Sequence, residues 1–315
     1  SGEVTYTEEW YNQYGGSIYD RQDVLMLSPE SRQPDIEFAR EDFLTSVVGG
    51  PTTTGYITAD NVNKSILITG GTGSFGHQIL RELLALEPRL VTVFSRDEKK
   101  QYEMALSYRK RKDLCFVIGD IRDLERIREV MRDVDIVFHA AALKQVPNCE
   151  YAPLEAVKTN IDGAGNVKRV AIESGVKIVV SISTDKAVKP VNVMGMTKAL
   201  QERIMLSQAA NANGKTKFVC VRYGNVLGSR GSAVPLFFDC VQKKMPLPIT
   251  NPDMTRFQLT LKEAVQLVLR AMVQGEDGDL WVQKMSAARI PDLGRALAEG
   301  LTGEKEYPVQ IIGMR

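Results

Sequence analysis

Histidine is almost missing from this chain of 315 residues: only His77 and His139 occur. That scarcity argues against a histidine-built metal centre and against a Ser-His-Asp triad, and no metal is expected. Cysteine is sparse too. The four thiols (Cys115, Cys149, Cys220 and Cys240) are widely spaced and form no Cys-x-x-Cys pair. Three of them stand in apolar contexts, so they read as free thiols of a reducing compartment. No apolar run is long enough to span a bilayer, and Ser1-Gly2 does not open a secretory leader. The cytoplasm is the expected location, with no membrane span. Neither sign of charge prevails, with 40 basic against 39 acidic side chains, so a nucleic-acid partner is not expected.

Charge is nonetheless unevenly distributed. Residues 1–60 hold 11 acidic side chains against 3 arginines, whereas the remainder holds 37 basic against 28 acidic. The acidic stretch has Trp10, Tyr11, Tyr14, Tyr19 and the apolar run 24–27, but no long periodic pattern. It reads as an arm, joined by the Gly/Thr-rich linker 49–55, that packs on the basic body or on a neighbouring subunit. From Lys64 the pattern becomes alternating. Apolar strands are expected over 65–69, 90–94, 114–118, 135–139, 177–181 and 218–222, with helical runs between the first five, such as 74–86 with Ile79, Leu80, Leu83 and Leu84. Near-continuous apolar strands separated by helices predict an α/β fold, a doubly wound parallel sheet covered on both faces. Beyond it Pro235, Pro246, Pro248 and Pro252 break the chain into short elements, as in a smaller mixed lobe. The expected division is an arm over 1–60, a nucleotide-binding domain over 61–225 and mainly a substrate lobe over 226–315.

Gly70, Gly73 and Gly76 form G-x-x-G-x-x-G between a strand and a helix. Glycine permits the tight turn, lets the backbone approach a pyrophosphate and lets strand and helix pack closely. The helix start then offers free N–H groups and a positive dipole to phosphates. After the second strand an acidic residue would select NAD. Here Ser95-Arg96 stands, with Lys99 and Lys100 following, which suits the 2′-phosphate of NADP rather than NAD. The alternative is a solvated basic helix start with Asp97 and Glu98 as its acids. Asp120-Ile121 would border the adenine, although Asp120 also reads as a helix N-cap. Ala140, Ala141 and Ala142 are small enough for close cofactor approach.

Ser183-Thr184-Asp185-Lys186 ends the fifth strand, where parallel sheets bind ligands. An adjacent acid and amine can divide proton transfer between a protonated Asp185 and a neutral Lys186. A solvated ion pair is the plainer reading. Met194 and Lys198 follow at i, i+4, on one face of a helix.

Jointly, TGGTGSFG, SRDEKKQ, IGDIRD, HAAALKQVPNCEYAPLEAVKTNIDGA, STDKAVKPVNVMGMTK, RYGNVLGSRGS and NPDMTRF resemble the UDP-N-acetylglucosamine 4,6-dehydratases of the extended short-chain dehydrogenase/reductase superfamily. The likeness covers 64–315 and is nearest to the 5-inverting capsule and O-antigen type. It implies a Rossmann sheet, a nicotinamide cofactor, a UDP-hexosamine substrate and a homo-oligomer. It implies that Lys186 removes the C5 proton, Asp185 protonates the departing C6 hydroxyl, Thr184 meets the C4 oxygen and Lys198 holds the nicotinamide ribose. It also implies that Lys144 lies near the sugar and the cofactor, and that Val146, Asn225, Arg230 and Arg256 hold substrate. The implied cofactor set comprises Gly70, Thr72, Gly73, Ser74, Phe75, Gly76, Ser95, Arg96, Lys99, Asp120, Ile121, Ala140, Ala141, Ala142, Lys144, Asn160, Lys198 and Tyr223. One departure stands out: the superfamily carries Tyr-x-x-x-Lys where this chain has Met194-x-x-x-Lys198, and a thioether transfers no proton. A C4 epimerase, a retaining dehydratase and a non-catalytic dinucleotide-binding scaffold are the other readings.

Overall fold

A computed structural model describes residues 26–27, 64–208 and 214–313. The expected acidic arm and its linker lie outside the described residues, apart from the strand β1 (Met26–Leu27). From Lys64 the chain alternates as its apolar pattern predicts. β2 (Ser65–Thr69), α1 (Ser74–Leu84), β3 (Leu90–Ser95), α2 (Glu98–Leu106), β4 (Leu114–Ile118), α3 (Leu124–Val130) and β5 (Ile136–His139) form the first half. Next come α4 (Val146–Tyr151), α5 (Pro153–Val157), a π-turn (Lys158–Asp162), α6 (Gly163–Glu173), β6 (Ile178–Ile182), a 3₁₀ turn (Asp185–Ala187), α7 (Val193–Leu206) and β7 (Lys217–Arg222). The last third holds β8 (Asn225–Val226), α8 (Ala233–Gln242), β9 (Leu247–Ile249), β10 (Thr255–Leu259), α9 (Leu261–Gln274), β11 (Leu280–Gln283), β12 (Ser286–Arg289), α10 (Ile290–Thr302) and β13 (Val309–Ile311).

The main sheet runs β4-β3-β2-β5-β6-β7-β11, wholly parallel, with β1 beyond β11. The chain winds outward from β2 to β4, returns to β5 beside β2 and winds outward the other way. This is the doubly wound α/β fold that the alternation predicts, and its direction reverses between β2 and β5. Ligands of such sheets sit at that reversal, outside the strand carboxyl ends. Successive residues of β2 serve opposite layers, as strand geometry demands. Ile66 and Ile68 join Ile79, Leu80, Leu83, Val268 and Trp281 in one core, whereas Leu67 joins Val137, Val179, Val170, Met205 and Phe218 in the other. Each fully buried aliphatic side chain stabilises by about 1.5–3 kcal/mol, so the two cores fix the strand ends firmly.

Two expectations need correction. The first helix stops at Leu84, short of Leu86: Ala85 caps it, Glu87 takes a φ of 53°, and Pro88 cannot continue the ladder. The sheet also has two strands more than the periodicity predicts, because β11 pairs with β7, β1 pairs with β11, and α9 packs on that side of the sheet. The sequence pattern did not mark Leu280–Gln283 as a strand; its pairing with β7 makes it one. Residues 261–283 therefore return to the main sheet from within the stretch expected to be mainly lobe. The lobe has mixed pairing: β8 runs parallel to β10, β10 antiparallel to β12, and β9 parallel to β13. Its small core gathers Phe237, Cys240, Leu247, Ile249, Ile290 and Ala298 from α8, β9 and α10.

Candidate functional site

A cleft of about 520 Å³ opens at the carboxyl ends of the strands, between the sheet and the lobe. Its floor is the glycine turn. Gly70 has a φ of 68°, and a Cβ there would stand 2.7 Å from the Ala141 nitrogen. Gly76 has no room for one either, because the turn's backbone at Gly71 occupies the place. Gly73 is the N-cap of α1 and no side chain caps the helix, so its first N–H groups face the cleft without a side-chain acceptor. A pyrophosphate suits those donors, and the glycine cradle leaves the space that it needs. The residues present thus fit a dinucleotide.

Beyond β3, the Thr72 hydroxyl donates to Ser95 Oγ at 3.0 Å, and the Asp97 N–H donates to the same oxygen at 3.3 Å. Arg96 lies 3.3 Å from Asp120, which Arg122 also engages at 2.7 Å. Those guanidiniums and the Arg122 N–H hold the Asp120 carboxyl below its usual range against the opposing effect of burial. Asp123, not Asp120, is the N-cap of α3. Lys99 is almost fully exposed, with Glu103 at 3.8 Å. Ile121 is buried in the core beside Gly163 and does not line the cleft. Asn160 is fully buried, exchanging hydrogen bonds with the Leu143 backbone and donating to Thr197 Oγ1 at 3.0 Å. It holds the loop that presents Lys144 rather than lining the cleft.

The cleft wall brings together polar side chains able to move protons. Thr184 donates to Asp185 Oδ1 at 2.8 Å, and Lys186 Nζ donates to the same oxygen at 2.9 Å and to Asn225 Oδ1 at 2.9 Å. The backbone aims this array: Ser183 N–H donates to the Val221 carbonyl and Asp185 N–H to that of Tyr223. Helix α7 presses on the same turn, because a Cβ at Gly195 would collide with the Lys186 carbonyl. Met194 is buried against Cys149 and Ala156 and lines the cleft one turn before Lys198. Lys198 donates to the Ile182 carbonyl at 2.5 Å and to Gln201 Oε1 at 2.7 Å. Burial lowers its pKa to about 8, with Glu202 and Cys220 opposing.

Thr184, Lys186, Lys198, Tyr223, Asn225, Lys144 and Val146 converge on the cleft with Gly70, Gly73, Ser74, Phe75 and Ala140 to Ala142. Arg256 does not; it donates to its neighbour's carbonyl on β10. Arg230 arches over from the lobe, its N–H donating to Ser74 Oγ at 3.0 Å and its carbonyl accepting from Lys144 Nζ at 3.0 Å. The Lys144 ammonium is destabilised by burial, then by Arg230 and Lys186. Arg230's charge is also felt by His77 and Asp97, which lie on the dinucleotide half. Reading the sequence missed Gln145, Ser229 and Ser232 along the cleft, and Gln201, Glu202 and Arg222 behind it. The i+3 and i+4 spacing from Lys198 was the available signal for Gln201 and Glu202.

Among known proteins, the family described as "Polysaccharide biosynthesis protein" matches residues 66–315. A protein named UDP-glucose 4-epimerase from Rickettsia bellii is 47% identical over 259 residues, 81% of this chain and 75% of its own. The X-ray structure of Pen from Bacillus thuringiensis is 39% identical and superposes with a TM-score of 0.78 over 80% of each chain. DesIV, a dTDP-glucose 4,6-dehydratase from Streptomyces venezuelae solved with NAD and TYD, is similar in fold alone. It is 20% identical, with a TM-score of 0.72 over 80% of this chain and 85% of its own.

Proposed function

The chain belongs to the polysaccharide biosynthesis protein family, and from that premise we propose that it is a nucleotide-sugar 4,6-dehydratase acting on UDP-N-acetylglucosamine or a related UDP-hexosamine, with inversion at C5. The observation that carries this reading is the hydrogen-bonded Thr184–Asp185–Lys186–Asn225 array, in which Thr184, Lys186 and Asn225 line the cleft and Asp185, which does not, joins Thr184 to Lys186. A bound nicotinamide dinucleotide would supply reversible hydride transfer at the sugar, leaving a ketone at C4 that acidifies the neighbouring C5–H. Proton transfer from Lys186 to Asp185, across the 2.9 Å that separates them, yields a neutral amine beside a protonated carboxyl. Those are the two forms elimination needs: Lys186 takes the C5 proton and Asp185 gives one to the departing C6 hydroxyl. Asn225 aims the amine, and Thr184 turns its hydroxyl to the C4 oxygen. Without a phenol at Met194, the C4 hydroxyl proton leaves through the Thr184 hydroxyl and water, because Asp185 already holds the proton from Lys186.

Arg96, Ser95 and Lys99 favour NADP over NAD in this reading, since a 2′-phosphate can join the Arg96–Asp120 pair. Residues 61–225 then serve mainly the dinucleotide, and 226–315, apart from the segment that returns to the sheet, mainly the sugar nucleotide. A second reading, C4 epimerisation, is favoured by the name of the Rickettsia bellii relative. Incubation with UDP-N-acetylglucosamine and no added reductant decides between them. Mass spectrometry should show loss of one water, and NMR of product made in heavy water should show deuterium at an inverted C5. An isomeric product of unchanged mass would establish the epimerase instead, and the absence of any turnover would leave a binding scaffold.

A further inference from the structure

Behind the cleft wall lies a buried polar cluster that the proposed reaction does not use. Glu202 stands four residues after Lys198 on α7, so the two share a helix face. Arg222 grips Glu202 with two hydrogen bonds, Nε to Oε1 at 2.8 Å and Nη2 to Oε2 at 2.7 Å. Ser183 also donates to Glu202 Oε1. Ser183 is the residue before Thr184, and Arg222 is the residue before Tyr223, whose carbonyl accepts the Asp185 N–H. The carboxylate therefore ties together the two chain segments that enter and support the catalytic turn.

No ion pair joins that carboxylate to Lys198, which is buried with two neutral acceptors, the Ile182 carbonyl and Gln201; the carboxylate acts on the ammonium from the next helical turn, through its charge. The other titratable groups around it come from neighbouring strands. β5 presents His139, fully buried, whose Nδ1 shares a proton with Thr69 Oγ1 at 2.8 Å. Burial first and the charge of Lys198 second hold this imidazole down to about 3, so it is neutral near pH 7. β7 presents Cys220, whose thiol burial drives up, so it too is neutral. Of the two groups that offset the ammonium's loss of water, Glu202 acts more strongly than Cys220.

We infer that Glu202, gripped by Arg222, is a positioning residue with two tasks: it keeps the buried Lys198 ammonium protonated, and through Ser183 it sets the direction of the turn bearing Thr184, Asp185 and Lys186. This deepens the proposed reading, because it names what maintains the charge of a lysine in that site. An ion pair of this kind is costly to break, since removal of either member leaves a buried charge alone.

The test reads Lys198 directly, without turnover. In protein carrying [ε-¹³C]lysine, the Lys198 signal is identified by its loss in Lys198→Met. Its midpoint in the unaltered protein should lie near 8. In Glu202→Gln it should fall by about one pH unit or more, and Glu202→Asp should restore most of it. Arg222→Met, which frees the carboxylate from its partner, should move the midpoint upward, and it decides the matter should Glu202→Gln fail to fold. Binding of NADP by calorimetry supplies a second readout. Glu202→Gln should lose about tenfold in affinity at pH 8.5 yet little at pH 6, where Lys198 is protonated in either protein. An unmoved midpoint in a folded variant, or equal loss at both pH values, overturns the inference. If the unaltered protein binds no dinucleotide, the proposed reaction falls while the titration still judges Glu202.

Discussion

Lys186 is the side chain on which the proposed chemistry turns. Its amine lies between Asp185 and Asn225 and lines the cleft. Lys186→Ala should abolish exchange of the substrate's C5 proton with deuterated solvent, a loss of at least about a hundredfold for a positioned base. Dinucleotide binding should persist, because Lys186 lies away from the glycine cradle. Exchange at the ordinary rate, followed by NMR, would transfer the role of base to another group. Met194 belongs to the same scale. It packs as a core residue against Cys149 and Ala156, so its place in a motif that otherwise carries tyrosine costs the fold nothing while removing a proton acceptor. The i, i+4 pattern made Met194 and Lys198 legible. Nothing local could show that Arg222, from another strand, clasps the residue one turn beyond Lys198.

Helix α7 is the element that converts the sheet into a site. Asn192 caps it by accepting the Gly195 N–H at 2.8 Å, and Gly195 lets its first turn lie against the Lys186 carbonyl. Gly195→Ala forces that contact apart. It should cost about 1–3 kcal/mol in stability and lower kcat by more than tenfold, because the turn that moves is the one proposed to carry the acid and the base. Helix α9 offers the contrast. Its capping box pairs Thr260 with Glu263 at the helix start, beside Leu261 of the cleft lining but outside the Thr184–Lys186 turn. Thr260→Ala should cost about 1 kcal/mol and leave kcat unaltered. Denaturant titrations alongside steady-state kinetics separate the two outcomes; equal kinetic effects would deny α7 its special part.

For the whole molecule, the reversal of the sheet between β2 and β5 creates the cleft, and the lobe closes over it through Arg230, Ser74 and Lys144. On the proposed reading, dinucleotide choice is made beyond β3, where Arg96 meets Asp120 outside the cleft lining. Arg96→Ala should weaken NADP by at least about tenfold, the worth of one charge-assisted phosphate contact, while NAD changes little. Equal loss of both, by calorimetry, would remove the 2′-phosphate from the reading.

The sequence by itself determined the parallel sheet, the glycine turn and the order of the chemical residues along the chain. These depend on short-range periodicity and on local conformational needs, such as the positive φ at Gly70. It left unread the strand β11, whose apolar run is too short to declare itself without β7 beside it. The withdrawal of Arg256 and Asn160 from the cleft was equally hidden, as was the Glu202–Arg222–Ser183 cluster behind it. Those depend on packing between residues far apart in the chain, where burial and side-chain direction, not residue type, decide which polar groups meet.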